Sequence, residues 1–466
     1  MMNMGTVAAI QPKREFQAVA GITIIAAVLR FFRLGAWSFT GDEIRTMVWL
    51  QNRVPMKDYG WSITKYLARA AIHWLVPTEF AARLVPATIG ILSIPIVFVF
   101  VRKYWGKHVA LYTSLLLATS PWHVYFSQTA RFYTSQLLLY SLAIFLFIDG
   151  LRSNQFRTIA AALGLWGLAL TEQLSALVFL PTVAVFLIYT IHSRSTSCGA
   201  FRVWPWLVLF SILLLVLTIL GFPYIRDSEQ FVAEFGPYLE RTNNSVFLGG
   251  CAAYYVGVPT VVVGFAAALY LLVTGQRRDV LLATAAVLPV VLVSIGGSFY
   301  WLGCRHQFVS LVFWLVLASI GVRAIWEHTR NAAKILRTAP MLMILAVSAA
   351  NLGMYSFVQN GNRANAKAAF NYISLHAGDA DQIFVPQTQL AEYYLGRPAE
   401  QLNASMNMSG DWDSCRVWFI EDQYSSDRYP NVFQWVRNNT RLVVVEDVQV
   451  SAQLYTMRVY LYQRDC

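Results

Sequence analysis

Two adjacent carboxylates, Asp42 and Glu43, occupy the stretch FTGDEIRTM (Phe39 to Met47), with Arg45 two residues on and a hydrophobic segment just before. Neighbouring carboxylates near low dielectric do not both ionise easily, so one of them is pushed toward the range of a general base. Cations read as lying at the same level, Arg45, Lys65, Arg131 and Arg305, suit an anion such as a phosphate, the arginines through paired hydrogen bonds. The plainer alternative is that Asp42 and Glu43 only end a helix in water. His73, His123 and His306 are the side chains a divalent ion would use, but their spacing makes no ligand pattern, and no cofactor is firmly predicted.

The elements that must position these residues are membrane helices. The chain has 466 residues, 57% of them hydrophobic and 13% charged, against about 25% charged in ordinary soluble domains. Apolar runs near the ~17–25 residues needed to cross a hydrocarbon core number about eleven. They are Phe16–Phe32, Leu84–Val101, Val109–Phe126, Phe132–Ile148, Ile159–Leu174, Ala176–Ile191, Val203–Phe222, Tyr254–Val273, Val280–Ile295, Phe308–Ile325 and Met341–Phe357. If they simply alternate, Lys13/Arg14, Arg102/Lys103/Lys107, Arg152/Arg157, Arg194/Arg202, Arg277/Arg278 and Arg323 to Arg337 share one side. By the positive-inside rule that side is cytoplasmic, so the N-terminus is inside and the C-terminal region outside. The net charge of +11 follows this topology rather than a nucleic-acid-binding face. The first outer loop breaks the rule with Arg45, Arg53, Lys57, Lys65, Arg69 and Arg83, which require another reason.

Residues 1–358 read as the transmembrane module, with a first outer loop at 39–83 and a second at 223–253. Within the first, Trp61, Tyr66, Ala70 and Trp74 recur at near-helical spacing among cations, the pattern of a helix lying in the membrane interface. From 359 to 466 the composition turns polar, and NRANAKAAFNYISLHA, QLAEYYLG and NVFQWVRNN alternate as helices with strand-like DQIFVP, CRVWFIED, RLVVVEDV and LYTMRVYLYQR. The expected fold is therefore an all-α polytopic membrane protein with a C-terminal extracytoplasmic α/β domain. Cys415 and Cys466 would both be external, where pairing and free thiols are equally open readings.

LRFFRLGAWSFTGDEIR, EFAARLVPATIGILSIPIVFVFVRKYWG and TSPWHVYFSQTARFYTSQLLLYSLAIFLF together resemble the GT-C glycosyltransferases. That group includes dolichyl- and polyprenyl-phosphate-sugar-dependent protein mannosyltransferases and lipid A aminoarabinose transferases. The resemblance implies that the Asp-Glu pair holds the catalytic carboxylate, Asp42 being the base for an inverting displacement and Glu43 its neighbour. It also implies that Arg45 and Lys65 contact the donor phosphate. SQTARFY resembles a Ser-Arg-x-x-Arg-x-Tyr segment, with Gln128 in place of the first arginine and Arg131 and Tyr133 matching. CRHQF resembles an Arg-Tyr start of a late span, with His306 in place of the tyrosine, making Arg305 a phosphate ligand and His306 a substrate contact. Glu172, at the outer end of the fifth span, is a further substrate-binding candidate.

The function expected from these readings is glycosyl transfer from a polyprenyl-phosphate-linked sugar to a hydroxyl of a glycan, lipid or protein. It would take place at the outer face of a bacterial or archaeal cell membrane, with membrane lipids as further partners and no nucleic acid. Two rivals are a transporter or flippase of a lipid-linked saccharide and a scaffold whose external α/β domain is the working part. A transporter would place charges near the midplane and show related halves, whereas here the charges cluster at one surface.

Overall fold

The computed structural model describes residues 12–52, 62–192, 244–274, 277–299, 302–331, 333–403, 406, 412, 414–422, 424–450 and 453–464. The expected span Val203–Phe222, most of the second outer loop, Trp61, Cys198 and Cys466 lie outside these residues. The helices in chain order are α1 (Pro12–Phe31), α2 (Gly41–Asn52), α3 (Ile63–Trp74), α4 (Glu79–Thr119), α5 (Pro121–Ser127), α6 (Tyr133–Ser153), α7 (Phe156–Glu172), α8 (Phe179–His192), α9 (Ser245–Val256), α10 (Val258–Thr274), α11 (Arg277–Gly296), α12 (Leu311–His328) and α13 (Lys334–Gly353). Three more, α14 (Ala366–His376), α15 (Thr388–Leu395) and α16 (Pro430–Asn439), accompany the strands β1 (Gln382–Val385), β2 (Glu400–Gln401), β3 (Arg416–Asp422), β4 (Arg441–Val450) and β5 (Gln453–Gln463).

The described part of the chain is mostly helical, with five helices long and apolar enough to cross a membrane, or six if the bent pair α9–α10 is one span. The expectation is about eleven for the whole chain; among the described residues some helices are too short, and one helix covers two expected spans. At ~1.5 Å per residue a helix needs about 20 residues to cross, while α7 has 17 and α8 has 14. In α1 the apolar run is confined between Glu15 and Arg30. The 41-residue α4 covers two expected spans and breaks at Gly106, whose φ of 84° and ψ of 173° only glycine adopts without strain. A second bend, of 102°, falls at Gly257 between α9 and α10.

The chain forms two compact units, each assembled from separated segments. The first comprises residues 1–27, 89–123 and 132–348. Its helices pack with α6 against α7 and α10 against α12. A disulfide between Cys251 of α9 and Cys304 ties α9 to the 3-10 segment Cys304–Ser310 that leads into α12. The same segment is held again where the Gln307 side chain donates to the Leu248 carbonyl at 2.8 Å.

The second unit comprises residues 28–88, 124–131 and 349–466. Its centre is a mixed sheet in the order β2-β1-β3-β5-β4, with β2, β1 and β3 parallel and β5 antiparallel to both neighbours. Period-two alternation assigns the two faces. Ile383, Val385, Trp418, Ile420, Met457 and Val459 pack with Phe370 and Ile373 of α14 and with Ile44, Met47 and Leu50 of α2. Phe384, Val417, Phe419 and Tyr460 face the other way, onto Val432, Phe433 and Val436 of α16. The long helix and strand signals of the C-terminal sequence are all realised, and among the described residues the two-residue β2 and a four-residue helix at Ser425–Arg428 are added. On α3, Thr64, Ala68 and Ile72 are buried at i, i+4, i+8, while Ile63, Tyr66, Leu67 and Trp74 are exposed.

Cys415 is also disulfide-bonded. The Cys251–Cys304 bond closes a loop over a sequence separation of 53 residues, so its loss is expected to destabilise the first unit by about 2–4 kcal/mol. Cys251→Ser should lower the thermal midpoint in detergent relative to wild type, and maleimide labelling of unreduced wild type should leave both thiols unmodified. Full labelling without reductant would contradict the bond.

Candidate active site

Thr40, Gly41, Asp42 and Glu43 open α2 as a capping box, a Ser/Thr-x-x-Glu pattern that satisfies the first unpaired N–H groups of a helix. The Glu43 N–H donates to Thr40 Oγ1 at 3.3 Å, and the Thr40 N–H donates to Glu43 Oε2 at 3.0 Å. The Glu43 side chain is thereby turned inward and completely buried. Its Oε1 accepts from Arg83 Nε at 2.9 Å and from the Ala130 N–H at 2.8 Å, and Oε2 accepts from Arg83 Nη2 at 3.2 Å and Arg363 Nη1 at 2.8 Å.

Both arginines are themselves buried, and Arg83 is saturated. Besides Glu43, Arg83 donates to the carbonyls of Leu34 (3.0 Å), Trp37 (3.0 Å) and Ser38 (2.9 Å), which accounts for all five guanidinium N–H groups. Arg363 donates to Gly361 O at 3.1 Å, Ser38 O at 3.3 Å and Gln128 O at 3.5 Å, and its guanidinium lies 5.8 Å from the Tyr125 ring centre. Burial alone would raise the Glu43 pKa, but Arg363, then Arg83 and the Ala130 N–H outweigh it and hold the carboxyl at about 2. The expectation of a carboxylate pushed up toward the base range is therefore not met at Glu43, whose charge is locked in and whose lone pairs are taken.

Asp42 is one residue earlier, about 100° away around the helix, and is half-buried. Its carbonyl accepts from Thr46 Oγ1 at 3.0 Å and from Arg131 Nη1 at 3.4 Å, and the same Nη1 donates to Thr46 Oγ1 at 3.2 Å. Arg131 is thus fastened to the first turn of α2. Arg45 is exposed on that helix, and Lys65 of α3 is half-buried with Nζ 5.7 Å from the centre of the Trp49 ring. Arg69 lies 5.5 Å from that ring. The residue before α15, Gln387, presses on Gly41 so closely that a Cβ there would fall 2.8 Å from its amide nitrogen. The second unit therefore brings Asp42, Glu43, Arg45, Lys65 and Arg131 together on or beside α2. Arg83 answers part of the first loop's unexplained basic charge. Arg363 carried no such signal, whereas the Thr40-x-x-Glu43 spacing did mark Glu43 as a capping residue.

The other candidates belong to the first unit. Tyr133 is buried at the start of α6, its ring 5.0 Å from that of Phe132, and Glu172 is buried at the end of α7. Arg305 and His306 sit side by side on the 3-10 segment Cys304–Ser310. His306 Nδ1 is 3.3 Å from Gln173 Nε2. Of the remaining histidines, His123 is buried with Nε2 3.3 Å from Ser93 Oγ, and exposed His73 packs edge-on to Trp74. Among the described residues no group of three His, Cys, Asp or Glu side chains is placed to hold a metal ion.

The depressed Glu43 pKa has a sign. A carboxyl held at about 2 against an ordinary 4.5 contributes stability that is fully present above 4.5 and is lost as pH falls toward 2, on the order of 3 kcal/mol. Glu43→Gln strands two buried guanidinium charges and is expected to lower stability by about 3–5 kcal/mol at pH 7. Asp42→Asn should stay within about 1 kcal/mol of wild type. Thermal unfolding in detergent across pH 3–8 measures both, and equal midpoints for Glu43→Gln and wild type would refute the locked carboxylate.

Residues 63–222 match the family model described as dolichyl-phosphate-mannose-protein mannosyltransferase. No curated protein sequence matches the chain significantly. Among solved structures, apo ArnT from Cupriavidus metallidurans is 13% identical with a TM-score of 0.62, the match covering 96% of this chain and 98% of that one. The same enzyme bound to undecaprenyl phosphate gives 13% identity and a TM-score of 0.60, over 94% and 97% of the two chains. The oligosaccharyltransferase AglB from Archaeoglobus fulgidus, in complex with an inhibitory peptide and a dolichol-phosphate, gives 10% and 0.56, over 95% of this chain and 74% of that one. About a third of the chain, residues 63–222, thus matches the mannosyltransferase family model, and along nearly its whole length the chain shares the fold of these solved structures.

Proposed function

We propose that the chain transfers a sugar, with inversion, from a polyprenyl-phosphate donor to an acceptor hydroxyl, and that Asp42 is the general base. The reading rests on one observation, the opposite environments of two consecutive carboxylates. Glu43 is buried, fully hydrogen-bonded and held at about 2, while Asp42 is half-buried on the same turn with Arg131 bound to its carbonyl. The base must take a proton and give it up again, and a carboxylate saturated by two arginines and two backbone N–H groups does neither.

In this reaction Asp42 accepts the proton of the acceptor hydroxyl as its oxygen attacks the anomeric carbon. The bond from that carbon to the phosphate oxygen breaks, and the lipid phosphate departs carrying the bonding pair. Cations already in place stabilise the charge that develops on it, without reorganisation at the moment of reaction. Arg45, Lys65 and Arg131 of the second unit are assigned to this role. Solved relatives of the same fold bind undecaprenyl phosphate and dolichol-phosphate, which supports a lipid-phosphate donor here.

The orientation that fits has the N-terminus cytoplasmic and the α/β domain outside, with about eleven crossings counted from the apolar runs. The Cys251–Cys304 disulfide supports it, since the bond flanks Arg305 and needs an oxidising compartment. The exposed apolar side chains of α3 suit a helix lying on the lipid surface.

A general base is worth about 10²–10⁴ in rate. Asp42→Asn is therefore expected to lose turnover of radiolabelled polyprenyl-phosphate sugars by that factor while keeping the wild-type thermal midpoint. Retention of full transfer by Asp42→Asn would overturn the assignment.

A further inference from the structure

The turn that joins α12 to α13 in the first unit carries more positive charge than its own acids can match. Between positions 323 and 337 stand four permanent cations, Arg323, Arg330, Lys334 and Arg337, and a single carboxylate, Glu327. Arg323 takes that carboxylate, with Nε 2.8 Å from Glu327 Oε1, and also donates to the Trp105 carbonyl at 3.3 Å. Arg330 and Lys334 are exposed beside it, and the turn holds no second carboxylate to pair with them. Arg337 is placed differently. Its guanidinium lies 4.1 Å from the centre of the Trp326 ring, so the start of α13 is stacked on the end of α12. Its Nε is shielded from water and meets no hydrogen-bond partner among the described residues. A guanidinium held against an indole has a fixed plane, and its N–H groups lie in that plane, as a two-point contact with a phosphate requires.

Apolar surface continues from these cations along α13. Ile335 and Leu342 recur seven residues apart, as do Leu336 and Met343, so each pair shares one side of the helix, and all four are exposed. Of the apolar span that α13 begins, 17% is buried, against 78% of the span that contains α12. We propose that the α12–α13 turn binds an anionic phospholipid, its phosphate on Arg337, its net charge balanced by Arg330 and Lys334, and its acyl chains along the exposed side of α13. A zwitterionic headgroup brings an ammonium as well, and the carboxylate that could receive it is held by Arg323. The turn therefore selects net negative charge rather than phosphate alone. The 18 residues of α12, about 27 Å of helix, separate it from the turn that carries Arg305.

The test titrates full-length protein in detergent with phosphatidylglycerol and, separately, with phosphatidylcholine, and counts bound lipid by native mass spectrometry. One phosphatidylglycerol is expected to bind at least about tenfold more tightly than phosphatidylcholine, since each basic residue at an anionic headgroup is worth about fivefold. Arg337→Ala should abolish most of this preference, and Arg337→Lys, which keeps the charge and loses the planar fork, should retain about threefold. Arg330→Glu, at an exposed position, offers a carboxylate to the ammonium and should bring the two lipids to within about twofold. Arg157→Ala removes an exposed cation at the start of α7 and should leave the preference as in wild type. Equal affinity of wild type for the two lipids, full preference in Arg330→Glu, or the same loss in Arg157→Ala as in Arg337→Ala would overturn the proposal. Displacement of the bound phosphatidylglycerol by equimolar undecaprenyl phosphate would overturn it too, by making the turn a polyprenyl-phosphate site.

Discussion

The second unit depends on one buried carboxylate. Glu43 joins four pieces of chain that are remote in sequence: its own helix start through Thr40, the start of α4 through Arg83, the 124–131 segment through Ala130, and the entry to the α/β domain through Arg363. Desolvating three charges is unfavourable by itself. The assembly is tenable because the guanidinium of Arg83 has no unmatched donor and the carboxylate has no unmatched oxygen. Such a network is stabilising only when complete, so it specifies one arrangement of the four segments more than it adds net energy.

The chemistry proposed for Asp42 follows from that constraint. Consecutive helix residues point about 100° apart, so fixing Glu43 toward the interior fixes where Asp42 does not point. The buried face of α2, carrying Ile44, Met47 and Leu50 with Glu43, packs on the sheet, and Arg45 is left on the outside. Arg131 is then placed by two short links, the Ala130 N–H on Glu43 and its own Nη1 on the Asp42 carbonyl and Thr46. The proposed proton acceptor and the proposed anion-binding side chain are thus both positioned by the same buried group.

Much of this architecture was legible in the sequence where one physical signal dominates. Apolar runs located the helices of the first unit, and period-two alternation located β1, β3, β4 and β5 because each strand must face two different cores. The pair Asp42–Glu43 stood out in the sequence as a candidate site but not as two different groups. Pairwise proximity of carboxylates predicts a raised pKa, and the deciding factor, two arginines at positions 83 and 363, is set by tertiary contacts that no local window contains. The capping box at Thr40–Glu43 was the one local mark of the difference, since a box glutamate turns back on its own helix start. Crossing counts were less legible, because apolar composition does not say where a helix breaks, and Gly106 and Gly257 decide that through backbone conformation.

The two units solve the same problem with different means. In the second, solvent-excluded charges of opposite sign hold the turn that carries Asp42. In the first, the turn that carries Arg305 and His306 is held by a covalent bond and by neutral amides and a hydroxyl. The contrast follows from the surroundings. Among the apolar helices of the first unit an ionised partner for His306 would be costly, whereas an amide chain ending on a backbone carbonyl fixes the ring without introducing charge.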